Sequence, residues 1–390
     1  MGVTFIHTAD WQLGKPFAGV DDPQKRARLQ AERFAVLHRI GRLAQEHRAE
    51  FVLVAGDLFD SPNATKATVS EACSAIGALA LPVFAIPGNH DHGGPGSLWE
   101  QEFFRREQSQ LAPNFQILAA AVPVELPQAI LFPCPLLRRH ESVDPTAWLR
   151  ALDHDHIGPS HKPRIVLAHG SVQNFGGAFP DDDGDAGPAN QLDLSRIPEA
   201  DFDYLALGDW HGTKQVGPKA WYAGTPELDR FVKGSDHDPG NILVVTAARR
   251  EIPTVRSVRT GTIQWHEREC QLDADSGLAR LKEMVGTLLG TRANADLLRL
   301  TLTGTLDIES WAQLEQCLES WQARLLRLKL ENQATLAPSI TELAALTQRT
   351  GDPLVARVAA KLVGLMSNPD ESGAIARIAL RELYLSCRPR

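Results

Sequence analysis

Five short apolar runs, each stopping at a cluster of Gly, Asp, Asn or His, constrain the fold of this 390-residue chain more than any other feature. They are Phe5–Asp10, Phe51–Ala55, Pro82–Ile86, Arg164–Ala168 and Tyr204–Leu207. Runs of this length, bounded by turn-forming residues, predict strands of a sheet covered on both faces. Helices are expected between them. The stretch from Asp22 to His47 opens with an N-cap residue and with Pro23 at the first helical position, and carries Phe34, Leu37, Ile40 and Leu43 at helical spacing. Thr68 to Leu79 also reads as a helix. Residues 1–260 therefore read as alternating α/β structure.

The pattern changes near Cys270. Leu298, Leu300 and Leu302 alternate with Arg299, Thr301 and Thr303, and Leu326, Leu328 and Leu330 alternate with Arg327, Lys329 and Glu331. Such alternation predicts strands with one wet face. Helical stretches at Leu278–Leu289 and Ile308–Ala323 complete a small β-α-β-α-β unit. The last 60 residues read as helical, with one stripe of Leu354, Val358, Leu362 and Leu365 and a second of Ile375, Ile378 and Leu385. A chain of this length is expected to form two or three domains. The acidic run Asp181-Asp182-Asp183-Gly184-Asp185 lacks the spaced Glu of a calcium loop and reads as a solvated loop.

Each strand of the first region ends in residues able to hold a metal. Asp10 and Gln12 follow the first run, Asp57 and Asp60 the second, and Asn89, His90 and Asp91 the third. His169 ends the fourth, and Asp209-Trp210-His211 the fifth. Loops beyond the carboxyl ends of strands are where α/β proteins build their sites. One such Asp reads equally as a turn residue or helix cap, and one such His as a surface residue. Five strand ends bearing such residues together point to a shared site.

In this order, Asp-x-(His), Gly-Asp-x-x-(Asp), Gly-Asn-His-(Asp), a His after an apolar strand and Gly-x-x-His resemble the calcineurin-like metallophosphoesterases. More narrowly, HTADWQLG, GDLFD, PGNHD and YAGTPELDRF resemble the SbcD-type DNA double-strand-break repair nucleases. The resemblance implies a four-layer α/β β-sandwich flanked by helices (residues 1–262), a small α+β cap domain (263–332) and a helical tail (333–390). It implies two divalent ions: one on Asp10, Gln12, Asp57 and His211, the other on Asp57, Asn89, His169 and Asp209, with Asp57 bridging. His90 would position the phosphate or protonate the leaving oxygen, and Asp60 and Asp91 would orient the ligands around it. The tail would dock an SMC-like coiled-coil ATPase, and a homodimer is implied as well.

Two positions depart from the commonest pattern of that family. Gln12 stands where a His is usual, and Asp209 where the first His of Gly-His-x-His is usual. Exchanging two nitrogens for two oxygens favours Mn²⁺, with Mg²⁺ or Fe²⁺ next and Zn²⁺ less suited, and predicts a weaker ion on the Gln12 side. The counter-reading is loss of function, and it is disfavoured because both changes put one ligand type in place of another; Gln12 could also simply hydrogen-bond a metal-held water. Lys15, Arg105, Arg106, Arg138, Arg139 and Arg230 are candidate phosphate contacts, and Trp11, Phe17 and Trp210 candidate stacking residues for bases. For the charges the alternative is a solvated surface, and for the aromatics packing beneath the site.

The net charge of −8 counts against a surface wrapped on all sides by nucleic acid but leaves room for a local basic track. No P-loop is present, so an ATP-driven role needs a separate subunit. Five scattered cysteines suggest neither disulfides nor a thiolate zinc site. No apolar run is long enough to span a membrane and the chain enters its first strand directly, so a cytoplasmic location is expected. Three functions stay open: a DNA exo/endonuclease, a small-nucleotide phosphodiesterase or phosphatase, and a non-catalytic partner-binding subunit.

Overall fold

The computed structural model describes residues 2–153, 157–172, 189–231, 237–273 and 276–387. The acidic run at 181–185 lies outside the described residues. The chain divides into two compact units, Met1–Gln264 and Trp265–Arg390.

Two six-stranded sheets form the first unit. The first runs, in spatial order, Thr254–Arg259, Asn241–Ala247, Val3–Thr8, Val52–Ala55, Val83–Ile86 and Phe115–Ile117. The second runs Lys214–Gln215, Ala220–Tyr222, Tyr204–Gly208, Arg164–His169, Ile130–Cys134 and Val124–Glu125. Four consecutive strands of each sheet are mutually parallel, so their carboxyl ends lie along one edge.

The unbroken apolar runs follow from burial on both faces of each strand. Phe5, Leu53, Ile165 and Leu167 pack into the layer between the sheets. Their neighbours Ile6, Val52 and Val54 point to the helices on the first sheet, whereas Val166 and Ala168 point outward from the second. Side chains of successive residues alternate across a strand, so each run feeds two cores at once.

The helices Pro23–Glu46, Lys66–Gly77 and Glu102–Leu111 lie in the first unit. The Asp22 carboxylate accepts from the backbone N–H groups of Gln24 and Lys25 at 2.8 and 3.2 Å and caps the first of them. Val36, Leu37, Ile40 and Ala44 bury its inner face. The outer face of the second sheet is covered instead by 3₁₀ turns at Ala147–Ala151 and Leu194–Arg196, through Leu149, Trp148 and Leu194.

In the second unit the strands Gln264–Leu272, Asp296–Leu306 and Arg327–Asn332 are linked by the helices Gly277–Leu289 and Ile308–Arg324. The latter two strands pair in parallel, as a helical crossover requires. Three further helices follow: Ile340–Thr347, Pro353–Leu365 and Glu371–Ser386. Their small core is Leu346, Ala359 and Leu380, with Val355, Leu362, Val363 and Leu383 around it. Of the expected stripes, Leu362 packs around this core, while Leu354, Val358 and Leu365 are exposed, as are Ile375 and Ile378. No helix among the described residues is long and apolar enough to cross a membrane.

Candidate metal centre

The ligand-type residues leave their strands through strained turns. Asp10, Gln12 and Asp57 have φ of 52°, 43° and 53°, and Asp209 has φ of 101°. Left-handed backbone is uncommon outside glycine, and a cluster of such residues marks a site held in place by its surroundings. That support is visible: Asp10 N–H donates to the carbonyl of Gly56 at 3.1 Å, Gln12 N–H to that of Asp57 at 2.9 Å, and Leu13 N–H to that of Leu58 at 2.9 Å. The first two strand-end loops are thus laced together. Asp209, from the second sheet, donates its backbone N–H to the Asp10 carboxylate at 3.2 Å.

Ligand atoms of Asp10, Asp57 and His169, all buried, lie within 4.8 Å of one another. His169 Nδ1 is 2.8 Å from the carbonyl of Ala55, so that nitrogen carries the proton and Nε2 faces the cluster. Nε2 meets Asn89 Oδ1 at 2.9 Å, Asp57 Oδ1 at 3.5 Å and Asp209 Oδ1 at 3.8 Å. A nitrogen lone pair facing three oxygens needs either an added proton or a cation among them. The Asn89 amide makes the same point. Turned over, its nitrogen would donate to both Asp57 oxygens at 3.2 and 3.1 Å; with oxygen inward it is one more ligand atom. The donor set of three carboxylates, one amide oxygen and one imidazole fits a divalent cation.

Electrostatics agree. Burial pushes the Asp10 carboxyl well above the usual range. Burial pushes Asp57 the same way, but the charges of His169 and His90 outweigh it and hold Asp57 below its ordinary value. Burial opposes charge on His169; Asp57, Asp10 and Asp209 overcome it and raise His169 to about 9.

Around this pocket, the other expected residues take several parts. Asp91 is fully buried; it accepts from Gly88 N–H at 2.8 Å and Phe59 N–H at 3.0 Å, bracing two site loops. His90 donates its backbone N–H to Asp57 at 3.0 Å, and its Nδ1 lies 2.8 Å from the carbonyl of Asp60. Two glycines are dictated by space: a Cβ on Gly88 would lie 2.1 Å from Asp57 Oδ1, and one on Gly56, at φ +90°, 2.2 Å from His169 Nδ1.

Gln12 and His211 are brought together but are engaged differently. Gln12 Nε2 is 3.4 Å from His211 Nε2, and Lys15 Nζ donates to Gln12 Oε1 at 3.1 Å. Trp11 and Phe17 are corrected as stacking residues. Trp11 is fully buried on the helix side of the first sheet with its indole N–H donating to Thr8 at 3.0 Å, and Phe17 is buried too. Trp210 is half-buried and meets the His237 ring edge-on at 5.1 Å. Arg105, Arg106, Arg138 and Arg139 are exposed.

Two residues of the site were not singled out from the sequence. Asp229, inside the YAGTPELDRF segment, is buried and lies 3.1 Å from His211 Nδ1, 3.5 Å from Lys15 Nζ and 3.2 Å from Arg230. Although burial works against it, the charges of His211 and Arg230 hold its carboxyl well below the ordinary range. Arg33, buried on the first helix, donates to the carbonyls of Asp10 at 3.0 Å and Trp11 at 2.9 Å, and to Thr225 Oγ1 at 3.1 Å. Its signal was a charge on the apolar face of a helix.

Paired parallel sheets whose strand ends converge on carboxylates, an amide and imidazoles define a metal-dependent phosphoesterase, and the chain belongs to the calcineurin-like phosphoesterase family, whose profile matches residues 3–238. Among curated relatives, the SbcD subunit of nuclease SbcCD from Escherichia coli (strain K12) is 25% identical over 252 residues, covering 57% of this chain and 60% of that protein. The uncharacterized metallophosphoesterase YhaO of Bacillus subtilis (strain 168) is 33% identical over 129 residues, covering 32% of this chain and 29% of that one. The chain thus spans less than two thirds of either relative. A solved structure, TT1561 of Thermus thermophilus, aligns with 67% of this chain and 100% of its own at 12% identity and a TM-score of 0.41.

Proposed function

We propose that this protein is a metal-dependent phosphodiesterase that hydrolyses DNA, working with an SMC-like ATPase in the cytoplasm. The observation that carries the reaction class is the convergence of Asp10, Asp57 and His169 ligand atoms within 4.8 Å. Asp10, Asp57, Asn89, His169 and Asp209 would hold a divalent ion, and four oxygen donors against one nitrogen favour Mn²⁺. When bound, such an ion supplies Lewis-acid charge to a phosphoryl oxygen and lowers the pKa of water.

The chain's own groups do the remainder. Asp91 fixes the loops carrying Asp57 and Asn89. The carbonyl of Asp60 ties His90 Nδ1, which leaves Nε2 as the ring nitrogen for a substrate oxygen. Burial opposes a proton on His90, but Asp57 and Asp60 outweigh it and raise its pKa. A protonated Nε2 can donate to the oxygen that leaves. Arg230, half-buried beside Asp229, is suited to a phosphate contact.

DNA as substrate and the ATPase partner rest on the likeness to the SbcD subunit of nuclease SbcCD. The exposed apolar residues Leu354, Val358, Leu365, Ile375 and Ile378 support docking of a partner on the tail. The test is a nuclease assay on linear, hairpin and single-stranded DNA with Mn²⁺, Mg²⁺, Fe²⁺ and Zn²⁺, beside His90→Ala. Mn²⁺-dependent DNA degradation lost in His90→Ala is the expected result. Hydrolysis of a chromogenic phosphodiester or free nucleotide with intact DNA would replace the substrate. No hydrolysis of any phosphoester would leave a partner-binding role.

A further inference from the structure

The two halves of the candidate centre differ in one respect: a lysine ammonium stands in one of them. Around Asp10, Asp57 and His169, ligand atoms converge within 4.8 Å of one another. In the Gln12–His211 half a cation of the protein itself already stands among the acceptors. Lys15 Nζ donates to Gln12 Oε1 at 3.1 Å, which fixes the amide with its nitrogen towards His211 Nε2, 3.4 Å away. His211 Nδ1 lies 3.1 Å from Asp229 Oδ2. Beside the shared carboxylates Asp10 and Asp57, a second cation would need Gln12 Oε1, which already accepts from Lys15, and His211 Nε2, which lies against the Gln12 amide nitrogen.

Lys15 is also held by charge. Its ammonium lies 3.3 Å from Asp60 Oδ1 and 3.5 Å from Asp229 Oδ2, and its side chain is only 13% exposed. Arg230 shares Asp229 at 3.2 Å. Asp60 and Asp229 are thus already paired with fixed cations, and a divalent ion added beside Gln12 would meet an ammonium at close range.

Building on the metal-dependent reading above, we propose that this chain binds one divalent ion, on Asp10, Asp57 and His169, and that the Lys15 ammonium takes the place of a second ion beside Gln12 and His211. Held there, the ammonium is a compact positive charge that can donate to a phosphoryl oxygen. The departure at Gln12 then has a physical meaning. An amide can accept from the lysine on oxygen and donate towards His211 from nitrogen.

The test is metal stoichiometry of the full chain, stripped with chelator and titrated with Mn²⁺, read by calorimetry and by electron paramagnetic resonance. One tightly bound Mn²⁺ per chain with an uncoupled signal is expected. A double variant, Gln12→His with Lys15→Ala, is expected to take up a second equivalent and show exchange coupling. Two tight equivalents in the unaltered chain, with a coupled signal, would overturn the proposal while leaving the metal-dependent reading intact. No tight binding at all would overturn both. The unaltered chain decides the question even where the double variant does not fold.

Discussion

Gly88 leaves no space for any side chain: its added Cβ would lie 2.1 Å from Asp57 Oδ1 and 2.5 Å from Asp57 N. Gly88→Ala is expected to push the Asp57 carboxylate aside and weaken Mn²⁺ binding by roughly 10–100-fold, the range for losing a group that orients a metal ligand. Calorimetric titration checks this, and an unchanged affinity would show that Asp57 is not a ligand. His169 gives a second prediction. Its folded-state pKa of about 9 lies above its ordinary 6.5, so in the metal-free chain its proton stabilises the fold fully below pH 6.5 and ceases to do so as pH rises through 9. An ion must displace that proton from Nε2. Mn²⁺ uptake is therefore expected to release one proton and to strengthen about tenfold per pH unit until near pH 9, then level off. A pH-independent affinity between 7 and 9 would contradict it. At this scale, much of the site was legible: Asp10, Asp57 and His169 stand out because their strands end on them. Asp229 did not, since it follows no apolar run, and Lys15 reads as a surface charge until its three acceptors are seen around it.

The helix Pro23–Glu46 shows what an element contributes beyond its sequence pattern. Its start at Asp22 and Pro23 and its apolar stripe were readable from the sequence, and both are present. Arg33 lies on the same buried face as Val36, Leu37 and Ile40. From there its guanidinium gathers the carbonyls of Asp10 and Trp11, near the start of the first unit, and of Glu227, near its end. No local pattern reveals such partners. Replacing Arg33 by Met would leave those carbonyls and nearby carboxylates uncompensated in the interior, at a cost of about 3–5 kcal/mol. Urea unfolding measures the loss; a change below about 1 kcal/mol would mean that water replaces the guanidinium. The edge strands were the hardest elements to foresee. Val124–Glu125 and Lys214–Gln215 are two residues each, too short to carry a periodicity.

The molecule as a whole contains two units, each with its own apolar clusters: Val3 and Phe5 belong to one of those in the first, and Leu281, Val285, Leu298 and Leu300 to one of those in the second. Only the first holds the candidate centre. Chelation is therefore expected to lower the unfolding transition of the first unit and leave that of the second in place; at 100 times the dissociation constant the bound ion would add about 2.7 kcal/mol. Differential scanning calorimetry with and without chelator checks this, and equal shifts in both transitions would count against it. The exposed faces of the C-terminal helices could not be predicted from spacing alone, because two overlapping apolar stripes compete for the interior and only packing chooses between them. One last consequence comes from where the ligands originate. Asp10, Asp57 and Asn89 follow strands of the first sheet, His169 ends a strand of the second and Asp209 follows another of its strands. A cation gripped by both is a caliper across the sandwich, and its affinity reports the gap between the sheets. Trimming Phe51 or Leu167 in the layer between them would change the reading at the metal without touching a single ligand.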